Sequence, residues 1–317
     1  MEERDLIAIF KAQDLSITEI ALRIGRNKGT ISRELNRNSP KIRKGYYLPH
    51  KAQARYEERF SITHIRSRLI NDLIRSYVFE KLLISWSPEQ ISGRIRDEHP
   101  GNSISHEAIY QYIYEEHPDL IRHLRYSHRK RKRKGQGKKH KKSHIPNRVS
   151  IEQRPDEINN RTEFGHWEGD TALSRQSKGA MAIMTERVSR YTLISYLAAK
   201  TSRNFSQAII RRLVQFPDST HMSMTYDNGS ETVEHEKVNK ELNMDSYFCT
   251  PYHSWEKGTV ENAIGLIREY LPKKTDFDKV KLSEFKRIEN LLNNRPRKCL
   301  NYKTPLEVFR SRVALAG

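Results

Sequence analysis

Long apolar runs are missing from this 317-residue chain. No stretch approaches the roughly 18 consecutive apolar residues of a membrane span, and Met1 is not followed by a secretory apolar region. Cysteine is nearly absent: only Cys249 and Cys299 occur. Two thiols are too few for a disulfide framework or a cysteine-based zinc site, so both are expected to be plain thiols. The expectation is a soluble, cytoplasmic protein that acts on no small-molecule substrate and touches no membrane. Negative charge is also scarce, with 58 Lys and Arg against 39 Asp and Glu, a formal net charge of +19. The excess is uneven, since residues 1–148 carry 32 basic and 17 acidic side chains and so hold +15 of it. A basic N-terminal half points to a polyanionic partner, most simply nucleic acid.

What is present divides into four expected regions: 1–45, 46–126, 127–148 and 149–317. In the first, Leu6, Ile7, Ile9 and Phe10 mark an apolar helix face. Ser16-Ile-Thr-Glu19 is a capping-box pattern, Gly25 stops the helix it opens, and a third helix is expected from Lys28 to about Asn36. Two helices joined by a short glycine turn form a helix-turn-helix pattern, with a generic three-helix bundle as the alternative. In the DNA-binding reading Lys28, Thr30 and Ser32 reach base edges, while Arg26, Arg33 and Arg37 serve phosphates.

The second region holds expected helices at 51–60 and 69–83, then a second capping box, Ser87-Pro-Glu-Gln90. The helices after it form either a second helix-turn-helix or a structural hairpin. The third region contains six consecutive cations, Arg129 to Lys134, followed by Lys138, Lys139, Lys141 and Lys142. This is a linker able to lie along a phosphate backbone, or simply a solubilising one.

From residue 149 the pattern alternates. Strands are expected at 164–174, 180–186 and 191–197, then a helix from Ser202, a strand at 222–226, a helix at 232–242 and a brief strand at Tyr247-Phe248. A helix follows within Pro251–Pro272, and a last one at 283–294. Three antiparallel strands, a helix, a parallel strand, a helix, a strand and further helices is the order of a ribonuclease H-like α/β fold.

Three carboxylates stand out against that order. Asp170 lies in the first strand, where propensity disfavours it, and Glu168 shares its face as a competitor. Asp227 ends the fourth strand in Asp-Asn-Gly, which reads either as a turn or as a site. Glu261 opens the helix after Gly258, with Lys257 before it and Arg268 seven residues on, both candidates for contact with DNA. Arg268 either holds a DNA strand or pairs with Glu261. Two strand ends and a crossing helix that present Asp170, Asp227 and Glu261 together would suit two Mg²⁺ ions, with Mn²⁺ as a substitute. Two such ions serve phosphodiester displacement without a nucleophilic side chain.

Further motifs surround these residues: Trp167-Glu-Gly-Asp170, Thr225-Tyr-Asp-Asn-Gly229, Pro251-Tyr-His-Ser-Trp-Glu-Lys-Gly258, Glu261-Asn262 and Gly265-Leu-Ile-Arg-Glu-Tyr-Leu-Pro272. Leu292-Asn-Asn-Arg-Pro-Arg-Lys298, Tyr302-Lys-Thr-Pro305 and Ile31-Ser-Arg-Glu-Leu-Asn-Arg37 complete them. With these the chain resembles, over nearly its whole length, the bacterial transposases of the family named for insertion sequence thirty. The resemblance implies that the N-terminal helix-turn-helix units bind terminal inverted repeats and that a DDE catalytic core cleaves and joins DNA, with Asp170, Asp227 and Glu261 holding Mg²⁺. It also implies a dimer or higher multimer on double-stranded repeat and target DNA, next to the bacterial nucleoid. Ile264, Thr232 and Lys274 depart from the family pattern without touching the three carboxylates. Trp255 and Asn262 contact DNA or pack; Asn293, Arg295 and Arg297 support the site or close the last helix. The competing classes are a DNA-binding regulator on an inert core and a nuclease without strand transfer.

Overall fold

The computed structural model describes residues 2–39, 46–64, 69, 71–125, 145–251 and 253–316. The basic run Arg129–Lys134 and the lysines after it lie outside the described residues, as do the expected domain boundary at 45/46 and most of the 127–148 linker. Among the described residues no helix is long and apolar enough to cross a membrane. The chain divides into two compact units, Met1–Arg68 and Leu69–Gly317.

The first unit contains α1 (Glu2–Ala12), α2 (Ile17–Ile24), α3 (Lys28–Asn38) and α4 (Pro49–His64). The capping box forms as the sequence requires: Ser16 caps α2 and Glu19 returns to its backbone. Gly25 ends α2 at φ 73°, a left-handed conformation that glycine adopts at least cost. Asn27 then caps α3 by accepting from the Gly29 amide at 2.8 Å. Ile7, Ile20, Ile31, Leu35 and Ala52 are buried together. Glu34 joins the helices, accepting from Arg4 and from the Tyr47 hydroxyl, each at 2.8 Å.

The second unit opens with α5 (Asp72–Leu83), α6 (Pro88–Glu98) and α7 (His106–Gln111), packed on Val78, Leu82, Trp86, Ile91, Ile95 and Ile113. After α8 (Asp156–Asn159) come β1 (His166–Leu173), β2 (Ala180–Glu186) and β3 (Thr192–Leu197). There follow α9 (Ser202–Leu213), β4 (Ser223–Tyr226), α10 (His235–Leu242) and β5 (Asp245–Phe248). The chain then forms α11 (Gly258–Tyr270), α12 (Leu282–Asn293) and α13 (Pro305–Ala316), the last without a sequence expectation. The five strands make one sheet in the order β3-β2-β1-β4-β5. β1, β2 and β3 are antiparallel, and β1, β4 and β5 are parallel. That order and polarity, with helices on both faces, is the ribonuclease H-like fold.

Strand period sorts the faces. Trp167, Met184, Met224 and Phe248 point to one side, against α9, α10 and Phe309 of α13. Met181, Ile183 and Ile194 point to the other, against Val260, Ile267, Phe285 and Ile288 of α11 and α12. Gly169 sits where a Cβ would lie 3.1 Å from Met224 Sδ and 3.5 Å from the Phe205 ring, so glycine lets α9 approach β1. Glu168 and Asp170 therefore share the face that α11 covers.

Candidate active site

The two carboxylates on β1 have opposite fates. Glu168 is fully buried: it pairs with Arg187, and its Oε2 accepts the Thr259 and Val260 amides, both at 2.9 Å. It thus satisfies the open amides at the start of α11 and fixes where that helix begins. Glu168 is the seat of the helix, and Asp170 is left for other partners.

Asp170 and Asp227 meet because β1 and β4 are parallel neighbours, with Glu168 paired to Thr225 in register. Lys257 Nζ lies between them, 3.2 Å from Asp170 Oδ2 and 3.6 Å from Asp227 Oδ2, and donates to the Gly169 carbonyl at 3.2 Å. Burial raises the Asp170 pKa above the ordinary aspartate value; Lys257 opposes the shift and Asp227 adds to it. Burial pulls the Lys257 ammonium down, but Asp170 and Asp227 outweigh it and hold its pKa above the ordinary lysine value.

A third carboxylate joins them, and sequence reasoning passed over it. Oxygens of Asp170, Asp227 and Glu231 all lie within 4.8 Å of one another. Glu231 is buried; its Oε1 accepts from the Thr171 hydroxyl and pairs with Lys200 Nζ, each at 2.8 Å. Its Oε2 has no hydrogen-bond partner among the described residues. The turn that brings it round runs from Asp227, whose Oδ1 accepts the Gly229 amide at 2.9 Å, into a 3₁₀ turn at Ser230–Thr232. A Cβ at Gly229 would collide with Glu231 Oε2 and come within 2.9 Å of Asp227 Oδ1. Asp-Asn-Gly is therefore both the turn and part of the site. The signal available in the sequence was Glu231 itself, four residues after Asp227.

Glu261 is placed differently. It lies in the first turn of α11 but is exposed, outside the group of three carboxylates, and without a hydrogen bond or ion pair among the described residues. The alternative Glu261–Arg268 pair does not form among the described residues. Arg268 instead donates to the Leu173 carbonyl at 2.9 Å and the Leu271 carbonyl at 3.3 Å, stacking over Phe277, so it ties the end of β1 to the end of α11. Lys257, expected on the DNA-facing surface, is only 3% exposed. Both cations are spent inside the fold in this structure.

The other singled-out residues sort by contact. Trp255 is 68% exposed and stacks on His253, so core packing does not hold it. Asn293 bonds the Thr192 amide and carbonyl, each at 2.8 Å, and clasps β3 to α12. Arg295 bonds Glu269 at 3.2 Å and Gln90 at 2.9 Å. With Arg94–Glu307 and Lys298–Glu89, that contact commits α6 to the C-terminal segment. In the first unit Lys28, Thr30, Arg33 and Arg37 are exposed, Ser32 is half-buried, and Arg26 pairs with Glu3 at 2.8 Å.

Comparison with known proteins adds to this geometry. Residues 160–254 match the family model described as integrase core domain, and residues 1–38 match the one described as helix-turn-helix domain. The transposase for insertion sequence element IS1086 of Cupriavidus metallidurans is 35% identical, covering 97% of this chain and 93% of that protein. The transposase for IS4351 of Bacteroides fragilis is 36% identical, over 98% and 94%. Transposase InsI for IS30A of Escherichia coli K12 is 36% identical, over 99% of this chain and 84% of its own length. Among solved structures the catalytic core domain of BIV integrase is similar with a TM-score of 0.38 and 19% identity, over 47% of this chain and 95% of that one. The fold assignment rests on strand order and polarity.

Proposed function

The chain belongs to the IS30 family of insertion-sequence transposases, enzymes that cleave DNA and transfer strands, and from that premise we propose a divalent-cation mechanism centred on Asp170 and Asp227. One observation carries it: the two carboxylates lie two residues past the last paired residues of adjacent parallel strands and share a single buried cation, Lys257. The donor set fits a hard divalent ion, because Asp170, Asp227 and Glu231 offer oxygen ligands within 4.8 Å and Glu231 Oε2 is buried with no partner among the described residues. Mg²⁺, or Mn²⁺ in its place, supplies activation of an attacking hydroxyl and stabilisation of the leaving oxygen in phosphodiester displacement, with two ions in the active complex.

The chain's own residues do the rest. Asp170 and Asp227 hold the ions, and Lys257 balances their charge until then. Thr171 and Lys200 fix Glu231 by one oxygen and leave the other for the site. Glu261, on the first turn of α11, completes the triad when DNA is bound. Lys28, Thr30 and Ser32 read the terminal inverted repeats, with Arg26, Arg33 and Arg37 on phosphates. Two element ends and a target duplex call for a dimer or higher multimer, working at the nucleoid in the bacterial cytoplasm.

The decisive experiment is strand transfer on inverted-repeat DNA with Mg²⁺, comparing the wild-type protein with Asp227→Asn. Joined products are expected only from the wild type. Undiminished joining by the variant removes Asp227 from the chemistry and the mechanism with it.

A further inference from the structure

A second polar feature borders the start of α11. A cavity of about 210 Å³ is lined by Arg161, Arg190, Arg297, Thr259 and Asn262. Three guanidiniums converge there. Arg161 Nη2 and Arg190 Nη1 both donate to Thr259 Oγ1, at 3.3 and 3.0 Å. Arg297 Nη2 donates to the Leu292 carbonyl at 3.1 Å, and its Nε has no partner among the described residues.

The carboxylates that act on Arg161 and Arg297 from within the fold, Glu168 and Glu269, are committed to other cations. Glu168 is committed to Arg187 and the α11 amides, and Glu269 to Arg125 and Arg295. Among the described residues no ion pair joins Arg161, Arg190 or Arg297 to an acid. Burial lowers the Arg161 pKa, and Arg190 and Arg187 lower it further; burial and Arg295 bring Arg297 down to about 10. The charge is therefore disfavoured where it stands, and an anion would relieve it. The backbone is strained at the same place: Arg161 and Arg190 have φ of 59° and 63°, the left-handed region that non-glycine residues avoid.

We propose that this cavity takes a phosphate oxyanion, and that its source is a backbone phosphate of the DNA strand on which the neighbouring carboxylates act. The planar fork of arginine matches phosphate geometry, and the Asn262 amide is a further donor. The Thr259 and Val260 amides are already bonded to Glu168, so the helix N-terminus is not the anion site. Lys257, between the aspartates, and Asn262, at the cavity, are five residues apart on the chain. Thr259, which lines the cavity, is bonded through its amide to Glu168, two residues before Asp170 on β1, so the cavity and the carboxylates flank the same helix start. The DNA source rests on the strand-transfer reading above; phosphate binding by the cavity does not.

The test uses the full-length protein without divalent cation, as wild type, Arg190→Gly and Arg161→Gly. Glycine suits both backbone positions, so the fold is retained while the guanidinium is removed. Sodium phosphate, compared with sodium chloride at matched ionic strength, is expected to raise the Tm of the wild type and not of the variants. Duplex DNA affinity, read by fluorescence anisotropy over a salt series, is expected to lose about 0.9 from the slope of log K against log salt per phosphate contact removed. An equal phosphate response in wild type and both variants overturns the site. A response lost in the variants with an unchanged DNA slope overturns the DNA source, because the cavity then serves a free anion. Asp227→Asn run in parallel should keep the full slope, so failure of the catalytic reading and failure of this one are distinguishable.

Discussion

Glu168 Oε2 accepts the main-chain amide of Val260 at 2.9 Å, so the strand that carries Asp170 also seats the helix that carries Glu261. One acid on β1 builds the frame and the other, two residues on, shares Lys257 with Asp227. Glu168→Gln keeps the shape but leaves Arg187 buried without its counter-charge. Loss of one partner of such a pair costs about 3–5 kcal/mol. Urea unfolding should show a lowered midpoint; an unchanged midpoint would mean that α11 is held by its apolar face alone.

Glu231 and Glu261 should separate by assay. Glu231→Gln is expected to weaken Mn²⁺ binding to the DNA-free protein about tenfold or more in calorimetry. Glu261→Gln, outside the cluster, should leave that affinity little changed and yet abolish strand transfer. Identical metal affinities for wild type and Glu231→Gln would make Glu231 a scaffold residue only.

Lys257→Met removes the cation between Asp170 and Asp227. The metal-free protein should unfold at a lower temperature, since two carboxylates then face each other unbalanced. Mg²⁺ should stabilise the variant more than the wild type, because ligand binding to the folded state alone adds to its stability. A Tm rise with Mg²⁺ no larger than that of the wild type would contradict the charge-balancing role.

Stability of the N-terminal unit should be sensitive to acid. Burial pushes the Glu34 pKa up, but hydrogen bonds from Arg4, Tyr47 and Asn38 outweigh it, leaving it below its ordinary 4.5. A depressed carboxyl pKa stabilises the fold fully above the ordinary value, and that contribution is lost as pH falls below 4.5 through the folded value. Thermal unfolding between pH 7 and 3 should show this loss in the wild type, and a smaller acid-side loss in Glu34→Gln.

Arg33 is exposed on α3. Arg33→Ala should weaken inverted-repeat binding and cut the salt slope by about 0.9 while leaving thermal unfolding unchanged. Equal affinity across the salt series would remove Arg33 from the interface.

Much of the fold was legible because it is local. Capping boxes at Ser16 and Ser87, the stop at Gly25 and the alternation of Met181 with Ala182 and Ile183 with Met184 depend on neighbours a few residues away. The helix at Pro305–Ala316 was not legible: its Phe309 packs on Trp167 and Tyr191, partners more than a hundred residues distant.

The carboxylates divide along the same line. The sequence by itself determined that Asp170 and Asp227 would meet, because strand order alone makes β1 and β4 neighbours. It left Glu168 and Asp170 as equals on one strand face, and left Arg268 free to choose Glu261. Only the tertiary structure decided between them, since the choice depends on which side chains other elements bring. Arg187 and the open amides of α11 claim Glu168, Lys257 reaches Asp170, and two backbone carbonyls take Arg268. Glu231 enters for the same reason: the turn after Asp227, where Gly229 leaves room for the Glu231 carboxylate, carries it beside Asp170 and Asp227, and no periodicity in the chain encodes that meeting.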